Sequence, residues 1–290
     1  MQTIPYLGGK TRIAKYLINN VGIPQHRAFV EPFSGMAALL LSRPIPSPIE
    51  AVSDLPRAYN VLKQLQTNVE AVISYLPLTM SEAVFNAADA RKEADNYGSD
   101  IEKAADYLTT FYFGKYQSTA VRRSGYRTPI TKRIWNDPIK IEQALLNRQA
   151  SWEATPDKLR AVSNRLAKVE LGQRDGLETM FMYDAPDTFQ FIDPPYIKNT
   201  LKRQELYYEK VWTNNEHLDF LQRVIFLKSK VMVCGYDSPL YRHWLKAPTW
   251  RQIQVNQLDE LGNDKPIYKH NSTSGEIEER KPPEYVWVNY

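Results

Sequence analysis

Phe189-Gln190-Phe191-Ile192-Asp193-Pro194-Pro195-Tyr196 joins a short apolar run to a diproline corner. An apolar run of that length suits a buried strand, and Asp193 then stands at its carboxyl end, where open α/β sheets bind ligands. Each proline fixes its own φ and biases the residue before it toward extended geometry. Neither proline has an N–H, so the carbonyls of Asp193 and Pro194 are left as acceptors beside one carboxylate. Tyr196 adds a flat aromatic ring. Two acceptors and a π-face suit a planar exocyclic amine of the kind adenine presents. The same residues would also make a rigid strand-ending turn, with Asp193 as a local cap and Tyr196 as packing. The rest of the chain decides between these roles.

Helix and strand signals alternate on both sides of the corner. Before it, residues 10–20 have helical spacing, 28–31 read as a strand, 36–42 as a helix and 49–54 as a second strand. A helix over 56–66 begins with proline near its first turn. After the corner, a helix over 215–228 is followed by a strand over 231–235 and a helix over 238–245. Strands over 251–257 and 284–290 complete the series. Residues 258–283 mix Gly, Pro and charge, and read as a mobile surface loop. From about 69 to 165 the strand signal fades, and 81–91, 100–113 and 156–168 read as amphipathic helices. No internal repeat is present. The expected fold class is α/β: a doubly wound, mostly parallel sheet drawn from residues 1–68 and 169–290. A mainly helical insertion at 69–168 interrupts it, since neither flanking half has enough strands to close a core.

Bulk properties narrow the partners. At 290 residues the chain can bury a sizeable core. A formal net charge of +4 permits a polyanionic partner without requiring one. The lone cysteine, Cys234, excludes an intrachain disulfide and sits in an apolar run as a small hydrophobe. Four scattered histidines and no paired cysteines point to no metal site. Without a membrane-length apolar stretch or a signal-peptide core, the expected location is cytoplasmic.

Two further segments look like parts of a ligand site. Tyr6-Leu7-Gly8-Gly9-Lys10 lies directly before a helix, where the glycines admit close approach and Lys10 can neutralise a carboxylate. A tight turn with Lys10 solvated is the simpler alternative. Glu31-Pro32-Phe33-Ser34-Gly35 has the strand–turn–helix form of a first nucleotide-type crossing, but it is neither a Walker loop nor a full GxGxxG. Asp54 ends the second strand, the position from which an acidic residue accepts hydrogen bonds from ribose hydroxyls; it can also cap the helix starting at Pro56.

In this order and spacing, Tyr6–Lys10, Glu31–Gly35, Asp54, a long insertion and Asp193–Tyr196 resemble the Dam-like (D12 class) N6-adenine DNA methyltransferases. The likeness extends to His217–Leu221, to Val233-Cys234-Gly235-Tyr236-Asp237 with Tyr241, and to the closing Glu284–Asn289. The resemblance implies an S-adenosylmethionine-dependent methyltransferase sheet with a DNA-recognition insertion, acting by base flipping on double-stranded DNA. It implies that Tyr6, Gly8, Gly9 and Lys10 lie beside S-adenosylmethionine, with Lys10 near its carboxylate. Glu31 to Gly35 would line the methionine moiety, Asp54 would hold the ribose, and Asp175 would lie near the cofactor adenine. Asp193 and the Pro194 carbonyl would bind the target amine, with Pro195 stiffening the corner and Tyr196 stacking on the extruded base. One departure stands out. The family usually has a second glycine after the first-strand turn, and Met36-Ala37 follow Gly35 here, which implies altered cofactor affinity.

Between Phe111 and Trp135 the basic residues Lys115, Arg122, Arg123, Arg127, Lys132 and Arg133 face no acidic residue and alternate with aromatics such as Tyr126. Such a loop suits phosphate clamping and base readout. A solvated basic loop over an aromatic core is the alternative. A polar segment over 198–210, beyond the corner, suits either a cover for an extruded base or a plain connection. Three rival functions share these features: cytosine N4 methylation, RNA adenine methylation and a non-catalytic DNA-binding role. The recognition sequence, a restriction partner and the setting (restriction–modification, phage, repair or regulation) are not readable.

Overall fold

The computed structural model describes residues 3–6, 9–114, 125–130, 134–197, 212–255 and 284–290, with the backbone of 257–258, 264–265, 268–270 and 277–279. A 3-10 turn at Lys10–Arg12 leads into α1 (Ala14–Tyr16) and a π-turn at Leu17–Gly22. Strand β1 (Ala28–Glu31), helix α2 (Ala38–Ser42) and strand β2 (Ile49–Ser53) follow. Five helices come next: α3 (Pro56–Tyr75), α4 (Glu82–Ala94), α5 (Asp100–Phe113), α6 (Pro138–Glu153) and α7 (Thr155–Leu166). Then come β3 (Glu170–Gly172), α8 (Gly176–Met182), β4 (Thr188–Ile192), α9 (Asn214–Val224), β5 (Lys230–Tyr236), α10 (Pro239–Trp244) and β6 (Arg251–Val255). The chain closes with β7 (Gln257–Leu258), β8 (Asp264–Lys265), β9 (Tyr268–His270), β10 (Ile277–Glu279) and β11 (Glu284–Val288).

These elements form two compact units. Residues 9–55, 169–197 and those from 212 onward make a sheet unit; residues 3–6 and the described part of 56–168 make a helical unit. In the sheet unit, seven strands lie in the order β3-β2-β1-β4-β5-β11-β6, parallel except for β11, which runs antiparallel to both neighbours. The strand order reverses between β1 and β4, which makes the topological switch point of an open α/β sheet. There β1 ends at Glu31, β2 is followed by Asp54 and β4 by Asp193. β1 and β4 are buried at every position, which is why both read as continuous apolar runs. Thr188 and Gln190 are the polar residues within β4; the Gln190 amide nitrogen donates to the Met180 carbonyl and Ser229 Oγ at 2.8 and 2.9 Å, while its Oε1 has no partner among the described residues. Ile192, Phe220, Leu221, Val231, Val233 and Trp287 pack the core between the sheet and α9.

In the helical unit α3 packs on α5 and α7, and α4 packs on α5. Ser81, Ser99 and Asp137 cap α4, α5 and α6 through their side chains, each satisfying an otherwise orphaned N–H. α3 runs past the expected segment end, with a non-helical break at Asn68 (φ −138°, ψ 32°), where the expected insertion boundary falls. Three features depart from expectation. β3 and α8 are too short to show a period in the sequence, and α6 presents Ile139, Leu145 and Leu146 to solvent, so its pattern is not amphipathic. The expected loop over 258–283 is corrected in part, since two short antiparallel pairs, β7–β8 and β9–β10, occur there. No described helix is long and apolar enough to cross a membrane.

Candidate active site

The crevice at the carboxyl ends of β1, β2 and β4 is lined by acidic and small residues. Glu31 is buried, and its Oε1 accepts the Leu40 N–H at 2.6 Å. Burial pushes its carboxyl up to about 8, against the effect of that hydrogen bond. After Pro32, the turn is held by backbone and carboxylate together: the Ser34 N–H reaches the Ser53 carbonyl at 3.0 Å, and the Gly35 N–H reaches Asp54 Oδ2 at 2.7 Å. The other oxygen of Asp54 accepts the Leu55 N–H at 2.8 Å, so this one side chain ties the first turn to the end of β2.

The position of the missing second glycine is now explicit. Ala37 is fully buried with φ 50° and ψ 44°, in the left-handed region that glycine adopts freely. The consequence of the departure is conformational: a Cβ there costs about 1–2 kcal/mol of backbone strain. Phe33 turns toward α8, and a Cβ added to Gly176 would come within 2.2 Å of its ring. Trp212 meets the same ring edge-on at 5.4 Å. Asp175, just before Gly176, caps α8 through the Leu177 N–H at 2.8 Å.

At the end of β4 the diproline corner carries a charged cluster. Lys10 Nζ lies 2.6 Å from Asp193 Oδ2 and 3.2 Å from Glu284 Oε1, with the lysine side chain buried. Asp193 Oδ1 is also buried and has no hydrogen-bond partner among the described residues. The two ends of this pair pull in different directions. Burial penalises the ammonium, yet Asp193 and Glu284 together hold its pKa well above the ordinary lysine range. Asp193 is pushed up to about 6 by burial, which outweighs the attraction of Lys10, with the Glu284 charge adding to the rise. The cluster therefore carries a firmly protonated lysine beside a carboxyl that titrates near neutrality.

Tyr196 is buried beneath the same cluster. Its hydroxyl donates to Glu284 Oε1, the Tyr236 ring meets it edge-on at 5.0 Å, and Lys10 Nζ lies 5.0 Å from its ring centre. His217, fully buried on α9, shares a 3.2 Å hydrogen bond through Nδ1 with the Tyr241 hydroxyl. Burial pushes this histidine down to about 4, so it is neutral at physiological pH. Glu284, Tyr236 and the pairing of Lys10 with Asp193 were not foreseeable as contacts, because their partners are distant in sequence.

The remaining expected residues are placed as follows. Gly9 precedes the turn that carries Lys10, and Gly8 lies outside the described residues. Tyr6 belongs to the helical unit, where its ring meets Phe111 edge-on at 5.6 Å. Pro194 is buried and Pro195 is partly so. Of the basic loop, Lys115, Arg122, Arg123, Lys132 and Arg133 lie outside the described residues, as does the segment 198–210. Tyr126 is half-buried, packed on Phe85 at 6.0 Å with the Arg148 guanidinium 4.7 Å over its ring. Arg127 is exposed, and its N–H is fixed to the Phe113 carbonyl at 2.8 Å. Among the described residues no group of three or more His, Cys, Asp or Glu could hold a metal ion.

The family model of the D12 class N6 adenine-specific DNA methyltransferases matches residues 6–258, most of the chain. The chain belongs to that family. It is accordingly a transferase that methylates adenine in DNA, and S-adenosylmethionine is the methyl donor this implies. No match emerged among curated proteins. The seven-stranded sheet, mostly parallel with one antiparallel strand, agrees with the methyltransferase fold.

Proposed function

We propose that this D12 methyltransferase receives the N6 amine of an extruded adenine between the Asp193 carboxylate and the Pro194 carbonyl. The observation that carries the reading is Asp193 itself: Oδ2 is fixed by Lys10, while Oδ1 is a buried acceptor without a described partner. An orphaned buried carboxylate oxygen is costly unless something donates to it, and an amine N–H is such a donor.

The N6 lone pair is delocalised into the purine ring, so the amine is a poor nucleophile. Two acceptors on its hydrogens favour a pyramidal nitrogen and stabilise the positive charge that develops there during transfer. Asp193 need not act as a strong base, because the methylated ammonium is acidic enough to lose its proton readily. Bound S-adenosylmethionine supplies an electrophilic methyl on its sulfonium. We assign Glu31 to Gly35 to its methionine side, Asp54 to its ribose and Asp175 to the neighbourhood of its adenine, with Tyr6, Gly8 and Gly9 beside the cofactor. Lys10 pairs with Asp193 and serves the cofactor carboxylate as well. Fixing amine and methyl in line is worth roughly 7–11 kcal/mol.

Adenine in a duplex must first leave the stack, which costs a few kcal/mol. Stacking on Tyr196 would return about 1–3 kcal/mol of it. The helical unit is proposed to read DNA through Lys115, Arg122, Arg123, Tyr126, Arg127, Lys132 and Arg133, in the cytoplasm of a bacterial or phage-infected cell. Incubating the purified chain with labelled cofactor and duplex DNA, single-stranded DNA or RNA, followed by nuclease digestion, tests the reading. N6-methyladenine from the duplex is expected; label on cytosine N4, label only in RNA, or no transfer would overturn it.

A further inference from the structure

We propose that Glu284 is a positioning residue for methyl transfer, holding both Tyr196 and Lys10 through one carboxylate oxygen. The inference rests on the role just assigned to the diproline corner. Glu284 lies beyond residues 6–258, the part of the chain the family model matches. It opens β11, the antiparallel strand, opposite Tyr236 of β5 and Val255 of β6. Its Oε1 accepts the Tyr196 hydroxyl and lies 3.2 Å from Lys10 Nζ. Lys10 in turn holds Asp193 Oδ2 at 2.6 Å. The ring of Tyr196 is thus fixed at its hydroxyl by Glu284 and on its edge by Tyr236, which faces Glu284 across the strand pair.

Stability alone does not call for a carboxylate here. A neutral acceptor would satisfy the Tyr196 hydroxyl without crowding a second negative charge against Asp193 around one ammonium. Burial is the main cause that raises the Asp193 carboxyl, and the Glu284 charge adds to the rise; such unfavourable charge pairs concentrate at functional sites. What the carboxylate adds is a rigid link: the aromatic ring and the lysine that orients Asp193 share one anchor on the sheet. A shift of about 1 Å in either would cost on the order of 100-fold in rate.

Single-turnover methyl transfer by Glu284→Ala and Glu284→Gln tests this, alongside cofactor binding by calorimetry and thermal melting. Glu284→Ala is expected to slow transfer on the order of 100-fold, with most cofactor affinity kept and a lowered melting temperature, since the Tyr196 hydroxyl and Lys10 each lose an acceptor. Glu284→Gln, which keeps an acceptor oxygen, is expected to restore most of the rate. A wild-type rate in Glu284→Ala, a rate loss matched by lost cofactor affinity, or a Gln variant no better than Ala would each overturn the proposal. Failure of the wild-type chain itself to methylate adenine would instead sink the reading on which the proposal rests.

Discussion

Lys10 Nζ sits 2.6 Å from Asp193 Oδ2, joining the turn before α1 to the end of β4 by an ion pair whose lysine is buried. Removing one partner of a buried pair leaves an uncompensated charge, at a typical cost of about 3–5 kcal/mol. Lys10→Met should therefore destabilise the fold by about 3 kcal/mol near pH 8, where Asp193 is ionised. At pH 5 the orphaned carboxyl takes up a proton and the loss shrinks. Urea unfolding at both pH values checks this, and an equal loss at both would contradict it.

Glu31 and Asp193 both titrate above their ordinary values, at about 8 and about 6. A carboxyl with a raised folded pKa binds more protons folded than unfolded, so its contribution is complete at low pH and is lost as pH rises through the folded pKa. His217, at about 4, acts the other way but is neutral in both states above its ordinary 6.5. Between pH 6.5 and about 8, stability should fall by up to about 1.4 kcal/mol per pH unit on account of Glu31, and the slope should vanish above that. Glu31→Gln keeps an acceptor for the Leu40 N–H and should flatten that slope in denaturant melts; an unaltered slope would count against the assignment. Activity should run oppositely under the proposed role of Asp193, because the ionised carboxylate is the stronger acceptor and opposes the positive charge developing on the amine. The kcat/KM profile should rise through about pH 6.

Ala37 holds φ 50° with a Cβ. Ala37→Gly removes strain of about 1–2 kcal/mol while giving the unfolded chain about 0.4–1 kcal/mol more entropy. A net gain near 0.5–1 kcal/mol in chemical denaturation is expected, and a destabilised variant would contradict it. Tighter cofactor binding by calorimetry should accompany the gain.

β1, β2, β4 and β5 were legible because strands buried in a parallel sheet leave apolar runs, and the motif residues follow their ends directly. The positions of Asp54 and Asp193 after β2 and β4 could therefore be read from the chain. What those side chains touch could not. Tyr196 and Glu284 meet across 88 residues, and no local period encodes that. The conformation of Ala37 is a dihedral angle, so the missing glycine was visible but its cost was not. The three residues of β3 carry no periodicity, and the exposed apolar side chains of α6 conceal a helix announced only by its Asp137-Pro138 start.

Arg127 is exposed, while its backbone is tied to Phe113, so truncating the side chain should spare the fold. Arg127→Ala should weaken DNA binding and reduce the slope of log affinity against log salt by about 1. Titrations at several salt concentrations measure this, and an unchanged slope would show that this arginine touches no phosphate.

The central claim is tested most directly by Asp193→Ala in a single-turnover assay on duplex DNA, paired with a DNA-binding titration. Loss of one stabilising contact to the reacting group costs on the order of 100- to 1000-fold in other enzymes. The account predicts a loss of transfer at least that large while most DNA affinity remains. Transfer at the wild-type rate would contradict it.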